Sequence, residues 1–445
     1  MYNGKKMKKK IIFWTLACFL FIIALHSLHY HTNKQGLIGN ESFQNINSLM
    51  HEEKEGWYET LISLLGEYLG VETSAIILVI FSIVGSLIFF ALIIDKIENS
   101  KNVKHFALFF LIISPLFIYS STVIQPYSLL SLLYLATIYF FFLEKPIKYI
   151  GSILSALMAF LEPILFVIFI LPLFFHFLKK KENNTAIAVA ALISFISFLV
   201  SFEKKSITGN NISFVGLLES NIVMFGALKG FTFLAIFTII IAFIFTWKDK
   251  KKNVPFYLLF ILAILGSIFI DESYKIILNF FAAYLSAYGF WRITSMRWEL
   301  YTIKNILYVL IILGMLVSGI FYISTLFSTS PSENTIRALH FIKGNTNEHE
   351  KIFSDPSKEH WIIYFTGNEI YTGNQTADIL RTRNNRIATG FMEEQNISLI
   401  LVDDHTRELM IRDDNNIGLE FVMENSDNFK KMVRYDHTVV WGFRN

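Results

Sequence analysis

Runs of apolar residues long enough to cross a bilayer recur along the chain as far as residue 327, and they leave few architectures open. A bilayer core of about 30 Å needs roughly 17 to 25 mainly apolar residues in a helix. Lipid offers no partners to backbone N–H and C=O groups, so such runs fold as helices. About eleven runs meet or approach this measure. They cover residues 11–29, 73–94, 106–121, 127–143, 149–160, 164–178, 185–202, 231–247, 254–270, 276–290 and 306–327. The fifth and sixth are short and almost continuous. With 53% hydrophobic residues, 45 of them Phe, and 17% charged, the chain is too apolar for an ordinary soluble protein.

Basic residues orient the helices, because short cytoplasmic loops retain Lys and Arg. Lys5, Lys6, Lys8, Lys9 and Lys10 precede the first run. Every second loop is again basic, with Lys96, Lys101 and Lys104, then Lys145 and Lys148, Lys179 to Lys181, Lys248 and Lys250 to Lys252, and Arg292, Arg297 and Lys304. The alternate loops hold only Lys34, Lys54, Lys204, Lys205, Lys229 and Lys275. The N-terminus is thus expected inside and the C-terminal part outside, in a multi-pass protein of the cell membrane. A net charge of +3 follows from the cytoplasmic lysines and implies no nucleic-acid partner. No small-residue cleavage site follows the first run, which reads as a retained anchor. Cys18, the single cysteine, carries no redox information.

Two regions break the apolar pattern. Residues 30–72 form a first outer loop much longer than two helices need. Within it Phe43, Ile46, Leu49 and Met50, then Trp57, Tyr58, Leu61, Ile62, Leu65 and Leu69, recur at helical spacing, as in amphipathic helices on the outer membrane surface. After residue 329 the composition changes. Ser330-Pro331-Ser332-Glu333 reads as a capping box opening a helix to about Lys343. Residues 362–365, 397–402 and 438–443 are β-rich, and 419–432 is helix-like. The expected architecture is a polytopic α-helical membrane domain, 1–329, followed by a small α/β extracytoplasmic domain, 330–445.

Three pieces of the sequence resemble the GT-C class of membrane glycosyltransferases. The first is Gly39-Asn40-Glu41-Ser42-Phe43 after the first run, followed by Trp57-Tyr58 with Leu61, Leu64 and Gly70. It is similar to the acidic first-loop element of that class. The second is SSTVIQPYSLLSLLYLATIYFFFLE, 120–144, similar to the segment entering the fourth span. IFSDPSKEHWIIYFTGNEI, 352–370, and GLEFVMENSDNFKKM, 418–432, resemble the outer domain of oligosaccharyltransferase catalytic subunits. There are departures. Asn40 stands where an Asp-Glu pair would begin, Gln125-Pro126-Tyr127 where an acid is frequent, and Asp355, Pro356, Ser357, Lys358 and Glu359 where the WWDYG acceptor motif would fall. The last points away from asparagine-sequon acceptors.

The resemblance implies a polyprenyl-phosphate-linked sugar donor, a membrane lipid environment and an acceptor glycan, lipid or protein. Glycosyl transfer passes through an oxocarbenium-like state and needs a base at the acceptor. Glu41 is the candidate, or else a solvated acid favoured at a helix start. Asn40, Gln125, Tyr127, Asp355, His360 and Trp361 are the implied substrate contacts; the last three are otherwise loop and strand-edge residues packing the outer domain. The departing phosphate needs positive charge, for which Lys204, Lys205, Lys229, Arg381, Arg383 and Arg386 are available or are a solvated face. Glu162, beside Pro163 at the outer interface, is a substrate-binding acid or a turn residue. His26, His29 and His31 lack a completing carboxylate or thiolate for a metal. The resemblance allows a divalent cation, although its second acidic motif is missing. The expected function is sugar transfer on the outer face, the alternative being a catalytically inactive GT-C relative that acts as a scaffold or binds lipid-linked glycan. Transport is disfavoured by the nearly charge-free runs and by the lack of duplicated halves.

Overall fold

The computed structural model of the chain describes residues 2–33, 35–50, 57–143, 147–162, 222, 230–247, 260, 261, 264–268, 271, 274–346, 350–373, 375–412 and 416–444. In chain order its helices begin with α1 (Tyr2–Asn33), α2 (Asn40–Met50), α3 (Trp57–Leu69), α4 (Val71–Ile97), α5 (Lys101–Ile112) and α6 (Pro115–Thr122). There follow α7 (Pro126–Phe141), α8 (Lys148–Leu161), α9 (Phe233–Thr246), α10 (Tyr274–Ser295), α11 (Tyr301–Ser328) and α12 (Glu333–Asn345). The last are α13 (Glu359–Thr366), α14 (Thr376–Leu380), α15 (Asn385–Glu394), α16 (Asp404–Met410) and α17 (Gly418–Asn425). The strands are β1 (Lys351–Phe353), β2 (Ile397–Val402), β3 (Ile411–Arg412), β4 (Asn416–Ile417), β5 (Phe429–Tyr435) and β6 (Thr438–Phe443). Two compact units result, Met1–Leu25 with Leu64–Leu326, and His26–Ser63 with Phe327–Asn445.

The first unit is helical. Among the described residues, Ile12–Asn33, Val71–Ile97, Tyr274–Ser295 and Tyr301–Asn345 are long and apolar enough to cross a membrane, and one bent pair makes up to five. The expected runs 164–178 and 185–202 lie outside the described residues, as does most of 254–270. The run 106–121, expected as one span, is two helices, α5 and α6, bent by 55°. Proline has no N–H and drives the residue before it out of helical geometry. Ser114 is accordingly extended, at φ −70° and ψ 138°. Its hydroxyl accepts the Phe117 N–H at 3.2 Å and the Asn279 side-chain amide at 2.7 Å, so α10 pins the break.

Aromatic rings fill the helix contacts. Phe290 of α10 meets Phe106 edge-on at 4.8 Å and Phe110 at 5.3 Å, and Phe280 meets Phe90 at 5.5 Å. Helices α9 and α10 approach closely at Gly289, where an added Cβ would overlap the Thr238 carbonyl oxygen. Small residues let backbones meet in this way. Because backbone cannot rotate aside, Gly289→Ala is expected to destabilise this unit by about 1–3 kcal/mol, the usual cost of overpacking. A lower SDS fraction at the unfolding midpoint in mixed micelles would report it; an unchanged midpoint would count against the close approach.

The second unit is built on a sheet of order β1-β2-β6-β5, with β1 parallel to β2 and the other pairs antiparallel. Phe353, Met392, Ile400, Val402, Leu419 and Trp441 form its core. Helix α12 is capped by Ser332, not Ser330: the Ser332 hydroxyl accepts the Thr335 N–H at 3.2 Å. Ser330 instead accepts the Gly39 N–H at 2.9 Å. Residues 362–365, expected as strand, belong to α13, which stops at Gly367 with φ 78°. Residues 419–432, expected as one helix, are α17 and β5, separated by the turn formers Ser426 to Asn428. Helix α2, expected on the membrane surface, turns part of its apolar face into the protein. Phe43 and Ile46 are buried, and Phe43 packs on Tyr364 at 5.2 Å and Phe365 at 5.9 Å.

Candidate active site

Gly39, at φ 77°, turns the chain into α2 in a conformation that L side chains rarely adopt. That turn places half-buried Glu41 in the first turn of α2, where the helix dipole favours negative charge. The Asn47 side-chain amide donates to the His360 carbonyl at 2.8 Å and locks α2 on α13. Burial holds the His360 imidazole below the usual histidine range, while the charges of Glu359 and Glu41 pull the other way. Trp361 is buried beside it, and its indole N–H has no partner among the described residues. The buried side-chain carbonyl of Asn40 has none either.

Asp355 follows β1 and is 4% exposed. It accepts the Ser357 N–H at 3.0 Å and the Ser357 hydroxyl, and it receives Nδ1 of His405 at 2.9 Å. Beside it Lys358, 2% exposed, pairs with Asp403 and donates to the Thr406 hydroxyl at 2.6 Å. Burial alone pushes the Asp403 carboxyl up; the Lys358 ammonium and the Thr406 hydrogen bonds outweigh it and hold the group below the usual range. These groups sit together because β1 and β2 are parallel and both end here, the edge at which α/β sheets carry their ligands.

The helical unit holds a separate polar cluster. The Tyr127 hydroxyl donates to Asp271 Oδ2 at 2.5 Å and that of Tyr274 to Glu162 Oε1 at 3.3 Å. The two rings meet edge-on at 6.0 Å. Gln125, which precedes α7, is 2% exposed, and its side-chain amide has no partner among the described residues.

No family model and no curated protein matches the sequence. Solved structures do match its fold. An archaeal oligosaccharyltransferase, AglB from Archaeoglobus fulgidus, in complex with an inhibitory peptide and a dolichol-phosphate, aligns at TM-score 0.59 and 12% identity over 94% of this chain and 72% of that one. The Archaeoglobus fulgidus oligosaccharyltransferase in complex with Zn and sulfate aligns at 0.57 and 13% over 97% and 73%. Arabinofuranosyltransferase AftD from Mycobacteria aligns at 0.52 and 10% over 97% of this chain and 40% of its own. The fold is that of the GT-C glycosyltransferases.

Within this GT-C fold the expected residues fall into distinct groups. Glu41, Asn40, His360, Trp361 and Asp355 belong to the second unit, with Glu41 and His360 close enough to interact. Gln125, Tyr127 and Glu162 belong to the first. Lys204, Lys205 and Lys229 lie outside the described residues. Arg381, Arg383 and Arg386 are exposed. The reading of the sequence missed Asp271, although an acid wedged between two apolar runs is a standard signal of function. It also missed Asp403 and His405. A divalent cation requires converging donors, and among the described residues no three His, Cys, Asp or Glu side chains converge so. His26, His29 and His31 do not supply them, and the carboxylates of Asp271 and Glu162 each accept a tyrosine hydroxyl.

Proposed function

We propose that the chain moves a sugar from a polyprenyl-phosphate or polyprenyl-pyrophosphate carrier to an acceptor glycan, lipid or protein at the outer face of the cell membrane. Glu41 takes the proton of the acceptor as the acceptor atom bonds to the anomeric carbon and the carrier phosphate leaves with the electrons of its bond. The observation that carries this reading is the placement of Glu41: a glycine turn and the lock of α2 on α13 hold a first-loop carboxylate beside His360 in a chain of GT-C fold. Residues 1–329 serve as the membrane part that receives the lipid-linked donor, and 330–445 face outward. The carrier bound by the AglB structure, dolichol-phosphate, belongs to the same lipid class.

The second reading, an inactive GT-C relative that binds lipid-linked glycan, is favoured by Gln125, an uncharged residue where an acid is frequent. Purified full-length chain in nanodiscs, given a panel of short-chain polyprenyl-phosphate and polyprenyl-pyrophosphate sugars, separates the two. Turnover supports transfer. Binding without turnover across the panel would leave the second.

A further inference from the structure

Strand β5 lies at an edge of the sheet and carries Lys430, Lys431 and Arg434. Lysines on an edge strand commonly prevent edge-to-edge pairing, and strict alternation would send Lys431 and Arg434 to opposite faces. They share one face. The register of β5 on β6 shifts between Lys431 and Val433, so that Lys431 stands opposite Trp441 and Arg434 opposite Val439. Trp441 and Val439 are two apart on β6, and the bulge brings both cations to their side of the sheet.

That side is covered by α17, and there Lys431 Nζ lies 4.8 Å from the Trp441 ring. Arg383, from the segment after α14, lies 5.0 Å from the ring of Phe421 on α17. Arg383, Lys431 and Arg434 line one cavity of about 390 Å³, together with Arg407, Glu420 and Glu424. The acids do not neutralise the three. Glu420 is held by Arg407 Nε at 3.1 Å to each oxygen. Among the described residues Arg383, Lys431 and Arg434 have no carboxylate partner; Arg434 Nε donates to the Asp436 carbonyl at 2.8 Å. Two of the cations are therefore held against aromatic faces, which orients them without discharging them.

We propose that this cleft binds a phosphate ester. Forked guanidinium donors match phosphate oxygens in pairs, and an ammonium adds a point charge. The ester is carried by a lipid headgroup or by a soluble phosphorylated compound, and either presents the same oxygens. Lys431 and Arg434 have no part in sugar transfer, and Arg383, available by sequence to the departing phosphate, is given no role in the proposed reaction, so the inference stands apart from that reading.

The test is acetylation of Lys431, quantified by peptide mass spectrometry on the full chain in phosphatidylcholine nanodiscs. Glycerol 3-phosphate at about twice its Kd is expected to slow acetylation about threefold. Alternatively, replacing the lipid by phosphatidylglycerol protects Lys431 with no soluble ester present. The first result identifies a soluble source and the second a headgroup. R383Q/R434Q, which changes two exposed side chains, is expected to abolish protection in either case. Equal protection by NaCl at matched ionic strength, which is mere screening, overturns the proposal, as does protection in neither arm.

Discussion

Glu41→Gln is expected to lower sugar transfer by at least about 10²-fold, the lower end of what a positioned base contributes. The amide keeps the volume and most hydrogen bonds of the carboxylate but cannot take up the acceptor proton. The turn at Gly39 and the Asn47–His360 contact do not depend on that charge, so the variant should insert and fold as the parent does. Donor binding in nanodiscs is accordingly expected to persist while turnover is lost, with kcat falling and KM little changed. Glu41→Ala should do no better. If a folded, inserted Glu41→Gln chain transfers sugar at the parent rate, Glu41 is only an acid at a helix start, and the base must be sought elsewhere.

Lys358→Ala is expected to destabilise the second unit by about 3–5 kcal/mol, because it leaves the buried Asp403 carboxylate without its cation. Lys358 is 2% and Asp403 14% exposed, so water cannot take over the role. Replacing both, as Lys358→Met with Asp403→Leu, should recover most of the loss, since the cost lies in an unpaired charge more than in the missing bridge. The pair also sets an acid limit. A folded-state carboxyl held below its usual range contributes stability that is present above about pH 3.9 and is lost as pH falls through the folded value. Lys358 is the leading cause that holds Asp403 down against burial, so without it acid unfolding should begin at higher pH. Proteolysis of the full chain against pH reads both effects; identical acid profiles for parent and Lys358→Ala would refute this account of the pair.

What the sequence disclosed depended on how local each signal was. Apolar runs and a glycine before an acid are local, so the long helices at Val71–Ile97 and Tyr274–Ser295 and the helix carrying Glu41 were legible. Ser114-Pro115 was equally local, yet its effect was hidden by the unbroken hydrophobicity around it. Residues 362–365 misled because Ile-Ile-Tyr-Phe suits a strand as well as a helix; Gly367 and the packing of α2 decided for the helix. The pairing of Tyr127 with Asp271 spans 144 positions and that of Lys358 with Asp403 spans 45. Such partners meet only through tertiary structure, and no spacing rule in one sequence reaches them. The register shift that gathers Lys431 and Arg434 was invisible for a related reason, since alternation gives the opposite answer.

The order in which a ribosome makes this chain bears on the lock of α2 on α13. Asn47 and His360 are 313 positions apart, so the helix carrying Glu41 leaves the ribosome long before its seat exists. Chains acquire structure from the N-terminus as they emerge, and through most of synthesis Phe43 lacks the Tyr364 and Phe365 rings it packs on. A nascent chain interrupted anywhere before residue 360 can hold the acid but cannot position it. Completion of translation thus becomes a condition for assembling the proposed site, and a prematurely terminated copy left in the membrane would be inert toward its neighbours' substrates.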